Sequence, residues 1–233
     1  PTSLAYVDGT DYDTGIFEGC RNLMTVTLPA SDASSALRNL FNGCSNLTTV
    51  TVLPVLGVDP TCYVGDGWFA GCKQLTTVVL PDTLTGIGAA AFRNCTSLEA
   101  IALPEGLKSI GAAAFEGCSR LSDVTLPSTL TSIGDAGDTD FTGGAFAGTA
   151  IESVNLPAGL GQISANTFAG CTELTSITVD PANSVYSSVD GNLYSKDGSV
   201  LYVYAAGKPY EPFVIPETVN RIASYGDYRG NAP

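Results

Sequence analysis

The chain has 233 residues, 44% of them apolar, and its 10 basic side chains face 23 acidic ones for a net charge of −13. That balance disfavours nucleic acid and anionic membrane as partners, because binding there rests on Lys and Arg neutralising phosphates. No stretch approaches the roughly 18–20 apolar residues of a membrane helix, so no membrane insertion is expected. No basic start leads into an apolar core, and the chain opens at Pro1 without Met, so it is read as a piece of a longer protein.

Seven copies of one landmark order the chain: Phe17/Cys20, Phe41/Cys44, Phe69/Cys72, Phe92/Cys95, Phe115/Cys118, Phe146/Thr149 and Phe168/Cys171. Ile87, Ile110 and Ile133 fall 23 residues apart, and a fixed period in this range marks a solenoid in which no unit buries its apolar face alone. The residue ahead of each Cys position is Gly19, Gly43, Gly71, Asn94, Gly117, Gly148 or Gly170. Gly with Asn as its one substitute is what a positive φ selects. The apolar residues before it predict a short helical turn closed by a C-cap.

A second phrase follows each landmark, as in Leu121-Ser122-Asp123-Val124-Thr125-Leu126-Pro127. Its last residues alternate apolar and polar, the period of a half-buried strand. Pro ends the strand because it cannot donate to the ladder. A Leu-x-x-Ile stretch such as Leu107 to Ile110 then returns the chain to the next unit. The outward positions form two columns of small residues, Thr25, Thr49, Thr77, Ala100, Asp123, Ser153, Ser176 and Thr27, Thr51, Val79, Ala102, Thr125, Asn155, Thr178. The Trp, Tyr and Arg that anchor interfaces are missing from both, and Thr is in any case a good exposed strand residue.

Three insertions break the rhythm. Gly57 to Gly67 carries Asp59, Cys62, Tyr63 and Asp66, with Trp68 just beyond; Asp135 to Gly143 carries Asp135, Asp138 and Asp140. The third, about residues 183–212, holds Asp190-Gly191 and Asp197-Gly198 as hairpin turns, with Tyr186, Tyr194, Tyr202, Tyr204 and Tyr210 crowded around them. The repeat resumes at Phe213-Val214-Ile215-Pro216, with Val219 and Ile222 back in register, and Tyr225 to Tyr228 does not complete the landmark. The expected organisation is one domain over 1–233, with repeats over about 11–182, the hairpin insertion, and a partial repeat over 213–233.

Six of the seven cysteines recur at one repeat position. Strand-paired coils lie about 4.7–4.9 Å apart, so these thiols are expected as a buried column of small core residues. Disulfides between neighbouring coils stay open on distance. Zinc is disfavoured, because its Cys pairs sit two to four residues apart and the chain has no His. Cys62 is read as a loop thiol, and without His it lacks the base a nucleophile needs. Asp8, Asp11 and Asp13, like Asp135, Asp138 and Asp140, could offer oxygens to Ca²⁺. They lack the spacing and terminal Glu of an EF-hand, so solvated turns are the simpler reading, and no metal or cofactor is assigned.

The phrases at 87–95, 110–118 and 121–127, with the stretch Ser188 to Gly198, resemble the BspA-like leucine-rich repeats of bacterial cell-surface proteins. The resemblance covers nearly the whole chain. It implies an α/β leucine-rich-repeat solenoid, one short parallel strand and a short helical turn per unit, with a C-terminal β-hairpin insertion. It further implies a secreted or surface-anchored bacterial protein, often linked to adhesion to host proteins or other cells, and supplies no catalytic residues. Departures are Thr149 and the replacement of Ala-Phe by Leu40-Phe41 and Trp68-Phe69.

The expected function is therefore non-enzymatic, with a protein or glycan partner and a monomeric chain. Inserted loops of repeat proteins map to exposed faces, which nominates Tyr63, Trp68, Tyr186, Tyr194, Tyr202 and Tyr204 as binding residues. Trp68 also suits a core slot beside Phe69. The alternative is a structural spacer within a larger surface protein. Tyrosines exposed on the hairpin favour binding; tyrosines packed inward favour the spacer.

Overall fold

The computed structural model describes residues 15–30, 37–54, 62–135, 143–209 and 212–224. Each repeat makes one coil with three sides, and each side bonds differently to the coils above and below.

The strand phrase forms the first side. Thr25–Pro29, Thr49–Leu53 and Thr77–Val79 pair in parallel, as do Ala100–Ile101 with Asp123–Val124 and Ser153–Leu156 with Ser176–Val179. The register is residue on residue, Thr25↔Thr49↔Thr77 and Val26↔Val50↔Val78. A strand period of two therefore carries the same choice of face through the stack. Val50, Ile101, Val154 and Ile177 are buried, while Thr25, Thr77, Ala100, Asp123 and Ser153 are exposed.

The returning stretch forms the second side, a five-stranded parallel sheet. Its strands Cys62–Val64, Leu84–Ile87, Ser109–Gly111, Ser132–Asp135 and Gln162–Ile163 lie in chain order. Val64, Ile87, Ile110, Ile133 and Ile163 make one buried column across it. Cys62 thus sits in a strand with its side chain in the core, which corrects its reading as a loop thiol. The insertion reaches the sheet because Cys62-Tyr63-Val64 has the alternation of its partner strand.

The landmark forms the third side, and here the expected helical turn does not exist. Among the described residues there is no helix. The N–H groups of Ala91, Arg93 and Cys95 close tight turns onto the carbonyls of Gly88, Ala90 and Phe92. Those between them, on Ala90, Phe92 and Asn94, donate to Ala112, Ala114 and Glu116 of the next coil at 2.8, 2.8 and 2.7 Å. An α-helix spends its N–H groups on its own i−4 carbonyls; here alternate N–H groups are committed to the following coil, so that ladder cannot close. The pattern runs in one direction, from Phe17 donating to Leu40 through to Phe146 donating to Thr167. All seven positions ahead of the Cys have positive φ, from 59° at Asn94 to 72° at Gly71, Gly117 and Gly170. The sequence missed a second such position, two residues before the Phe, where Asn39, Gly67, Ala90 and Ala113 have φ of 55°, 63°, 54° and 55°. Ala in that region costs about 1–2 kcal/mol, and the bonds on either side hold it there.

Inside, the seven Phe rings form one continuous stack from Phe17 to Phe168, with neighbouring centroids 5.1 to 5.8 Å apart. All seven cysteines are free thiols. Cys44, Cys72, Cys95, Cys118 and Cys171 each donate Sγ–H to the Phe carbonyl of the preceding coil at 3.0 to 3.4 Å. That carbonyl already accepts the N–H three residues on in its own coil, as Phe92 does from Cys95. The thiol fills its second lone pair, which explains a small apolar residue with a weak donor at this position. Burial pushes the Cys44 and Cys95 thiols up and that of Cys72 up to about 12, so the donors stay protonated. Thr149 breaks the column by turning its hydroxyl to Phe146 of its own coil at 2.8 Å. Cys20, in the first described coil, is exposed.

The expected hairpin is a three-stranded antiparallel meander, Tyr186–Val189, Asn192–Ser195 and Val200–Val203, followed by Arg221–Ile222 in parallel with the third strand. Asp190 and Gly191 both have positive φ, 48° and 70°, as a two-residue hairpin of right-handed twist requires.

Candidate functional site

The meander closes the C-terminal end of the coil stack with side chains in place of another coil. Asn183, fully buried, donates both amide hydrogens, to the carbonyls of Pro157 and Leu160 at 2.9 Å. Its Oδ1 accepts from the N–H groups of Val185 and Tyr186 at 2.8 Å. The Tyr186 hydroxyl accepts from the Ile163 N–H at 3.2 Å, where the second sheet's next strand would stand. On the first side the Ile177 N–H donates to the Gly191 carbonyl at 2.8 Å, and beside the third the Gly207 N–H donates to Leu174 at 2.7 Å. Asn183 is the functional residue that the sequence reading missed. Its only local signal was a polar side chain two residues after Pro181, and the two carbonyls it bonds lie 23 and 26 positions away.

Packing consumes four of the six nominated aromatic residues, three in the meander and Trp68 in the core of an earlier coil. Trp68 is 2% exposed, donates Nε1–H to the Leu37 carbonyl at 2.9 Å and meets Phe69 edge-on. Tyr186, Tyr194 and Tyr202 are 0%, 2% and 6% exposed, and Tyr186 packs edge-on against Tyr202 at 5.3 Å. Tyr63 is half-buried on the outer face of the second sheet, its hydroxyl 3.2 Å from that of Ser109. Its ring lies over Gly86, where a Cβ would stand 1.9 Å from a ring carbon, so that strand has no room for a side chain. Tyr204 alone of the six is exposed, at 39%. It leans on Phe213 with centroids 4.7 Å apart, and the Lys208 ammonium lies 5.5 Å from its ring centre. Lys208 also donates to the Asp190 carbonyl and to Asn192 Oδ1.

Beyond Tyr204, where the repeat was expected to resume, lies an apolar surface: Phe213, Val214, Ile215 and Ile222 are 41%, 81%, 46% and 59% exposed. The rest of the outer strand face is the expected hydroxyl-rich surface, and some of its threonines serve the fold. Thr48, Thr76 and Thr175 donate their hydroxyls to the carbonyls of Met24, Thr48 and Glu152 in the preceding coil. Asp8, Asp11, Asp13, Asp138 and Asp140 lie outside the described residues. Among the described residues no three His, Cys, Asp or Glu side chains gather as a metal site, and no helix is long and apolar enough to cross a membrane.

The geometry finds its counterparts in known proteins. The family model of the BspA type leucine rich repeat region matches in 6 copies over residues 8–56, 59–137 and 139–195. A leucine rich cell surface protein from Faecalibacterium prausnitzii A2-165 is 30% identical, with a TM-score of 0.68 over 86% of this chain and 50% of that one. The leucine rich repeat protein of T. pallidum is 29% identical, with a TM-score of 0.51 over 66% of this chain and 69% of its own. The pneumococcal vaccine antigen PcpA shares the fold at 24% identity and a TM-score of 0.67, over 90% of this chain and 53% of its own. The chain thus spans about half the length of the first and last of these relatives. No functionally curated protein matches the sequence. Seven stacked Phe coils and a match over most of the sequence lead to one conclusion: the chain belongs to the BspA-type leucine-rich repeat family.

Proposed function

We propose that this segment is a stiff structural spacer in a bacterial cell-surface protein. The observation that carries this reading is the inward packing of Trp68, Tyr186, Tyr194 and Tyr202. Aromatic anchors give a surface its binding energy, and these four are spent on the core and on closing the coil stack. What faces outward along the strands is mostly Thr, Ser, Ala and Asp, with Leu53 and Val79 as exposed apolar members. A continuous Phe stack with one-way hydrogen bonds between coils resists bending, as a spacer must. The cell-surface location rests on the family and on the name of the Faecalibacterium relative.

A second reading, recognition of a protein or glycan, draws on Tyr204, whose exposed ring beside Phe213 and Lys208 has the composition of a contact surface. An array of glycans and extracellular-matrix proteins, probed with the intact chain, separates the two. The spacer reading expects silence; retention that is lost in Tyr204→Ala overturns it in favour of binding.

A further inference from the structure

The two buried asparagines at the closing meander are used differently. Asn183 commits both amide hydrogens and its oxygen. Asn192, 1% exposed, accepts at Oδ1 from the Ala205 N–H at 3.1 Å and from Lys208 Nζ at 3.0 Å. Its Nδ2 is buried and, among the described residues, makes no hydrogen bond, although the buried Tyr194 hydroxyl stands beside the same amide. A buried donor without a partner is costly, so its presence here calls for a role. Lys208, for its part, is drawn onto this amide rather than into solvent. The Asp190 carbonyl and Asn192 Oδ1 both accept from Nζ, which lies 5.5 Å from the Tyr204 ring centre. A contact of 3.0 Å to Oδ1 puts Nζ beside Cγ, the carbon that carries both that oxygen and the unpartnered nitrogen. Groups held so close react as if highly concentrated, because the entropy of bringing them together is already spent.

We infer that Lys208 and Asn192 are a covalent modification site, at which the two side chains join through an amide. In its unprotonated form Nζ attacks Cγ. The Nζ–Cγ bond forms, the Cγ–Nδ2 bond breaks, and Nδ2 leaves as ammonia with one proton from the amine. Nothing is oxidised or reduced, so no co-reactant is needed. The Ala205 N–H, already on Oδ1, is placed for the negative charge that this oxygen carries in the tetrahedral intermediate. The Tyr194 hydroxyl is a proton donor beside the amide, and the departing nitrogen has no hydrogen bond to break. The link ties Asn192–Ser195, the middle strand of the meander, to the loop after Val200–Val203 and closes a ring across 16 positions. Such a ring restricts the unfolded chain as a disulfide does, and it fastens the end of the coil stack without using a cysteine.

The test weighs the intact chain by mass spectrometry, freshly purified and after prolonged warming in its folded state, and maps it with trypsin. Cleavage after Arg120, Lys196 and Arg221 places Asn192 in residues 121–196 and Lys208 in residues 197–221. The mass is expected to fall short of the sequence by one ammonia, with those two peptides emerging joined. Lys208→Arg keeps the charge without the primary amine, and is expected at its full mass with the peptides separate. Three results overturn the inference: an intact chain at full mass at both times, which leaves Lys208 as a hydrogen-bond donor alone; a missing ammonia confined to another peptide, such as a succinimide at Asn42-Gly43; or the same deficit in Lys208→Arg. The intact chain decides the first two even if the variant does not fold. Array binding lost in Tyr204→Ala sinks the spacer reading and leaves the joined peptides standing.

Discussion

Replacing Asn183 with Ala removes one buried side chain and four hydrogen bonds. The Leu160 carbonyl loses its donor, that of Pro157 keeps only the Leu160 N–H, and the N–H groups of Val185 and Tyr186 lose their acceptor. Each buried group left unpaired costs about 1–3 kcal/mol. If water reaches half of them, the loss is still about 3–4 kcal/mol, a large share of a typical domain's stability. At about 2–4 °C per kcal/mol for a chain of this size, Tm should fall by roughly 6–16 °C. The loss should concentrate at the meander, so hydrogen exchange at Tyr186 and Ile163 should accelerate more than at Phe92. The intact chain, followed by circular dichroism and exchange mass spectrometry, gives both readings. A Tm change below about 2 °C, or a loss spread evenly along the coils, would refute the idea that one amide side chain closes the stack.

Other consequences follow from the same geometry. Phe115 is buried between Phe92 and Phe146 at 5.4 and 5.2 Å, so Phe115→Ala should cost about 3–5 kcal/mol in denaturant unfolding and Phe115→Leu clearly less. In the native protein a thiol reagent should modify Cys20 quickly, and the other six cysteines only on unfolding, because those six are buried; two or more fast thiols would contradict the column. Burial raises the folded-state pKa of Cys72 from 9.0 to about 12. Its contribution to stability is thus fully present below pH 9 and lost as pH rises toward 12. Unfolding free energy should fall across that window, and less steeply in Cys72→Ala. Hydrogen bonds from the Ser195 hydroxyl and from the N–H and hydroxyl of Ser199 hold the Asp197 carboxyl down at about 2. Its stabilisation is present above its ordinary 3.8 and disappears as pH falls through about 2; Ser195→Ala should move its NMR titration midpoint upward.

The repeat is legible in the sequence because each of its demands recurs. Gly or Asn ahead of every landmark Cys position reports positive φ, and alternation in Val124-Thr125-Leu126 reports the strand. The helical turn was misread because apolar residues before a C-cap glycine look alike whether their N–H groups close a helix or reach the next coil. Only the three-dimensional stack decides that, and it also holds Ala90 and Ala113 at a φ that no local rule assigns to Ala. Cys62 was placed in a loop because the insertion hides the strand phrase within it, whereas the core slot beside Phe69 suited Trp68 as the structure has it. Which tyrosines of the meander pack inward stayed open because a ring that plugs a sheet edge, as Tyr186 does, has no periodic signature. The repeat was read as resuming at Phe213 to Pro216, yet Phe213 and Ile215 are exposed, because spacing alone does not say what stands beside a strand phrase.

A single dry spine runs from coil to coil, carried by N–H groups that point forward. Native-state hydrogen exchange at the Phe amides tests it most directly, since those of Phe41, Phe69, Phe92, Phe115 and Phe146 each donate to the following coil. These amides should exchange only at the rate of global unfolding, with Phe17, half-buried in the first described coil, faster. Central Phe amides that exchange as fast as Phe17, each at its own rate, would contradict a shared core.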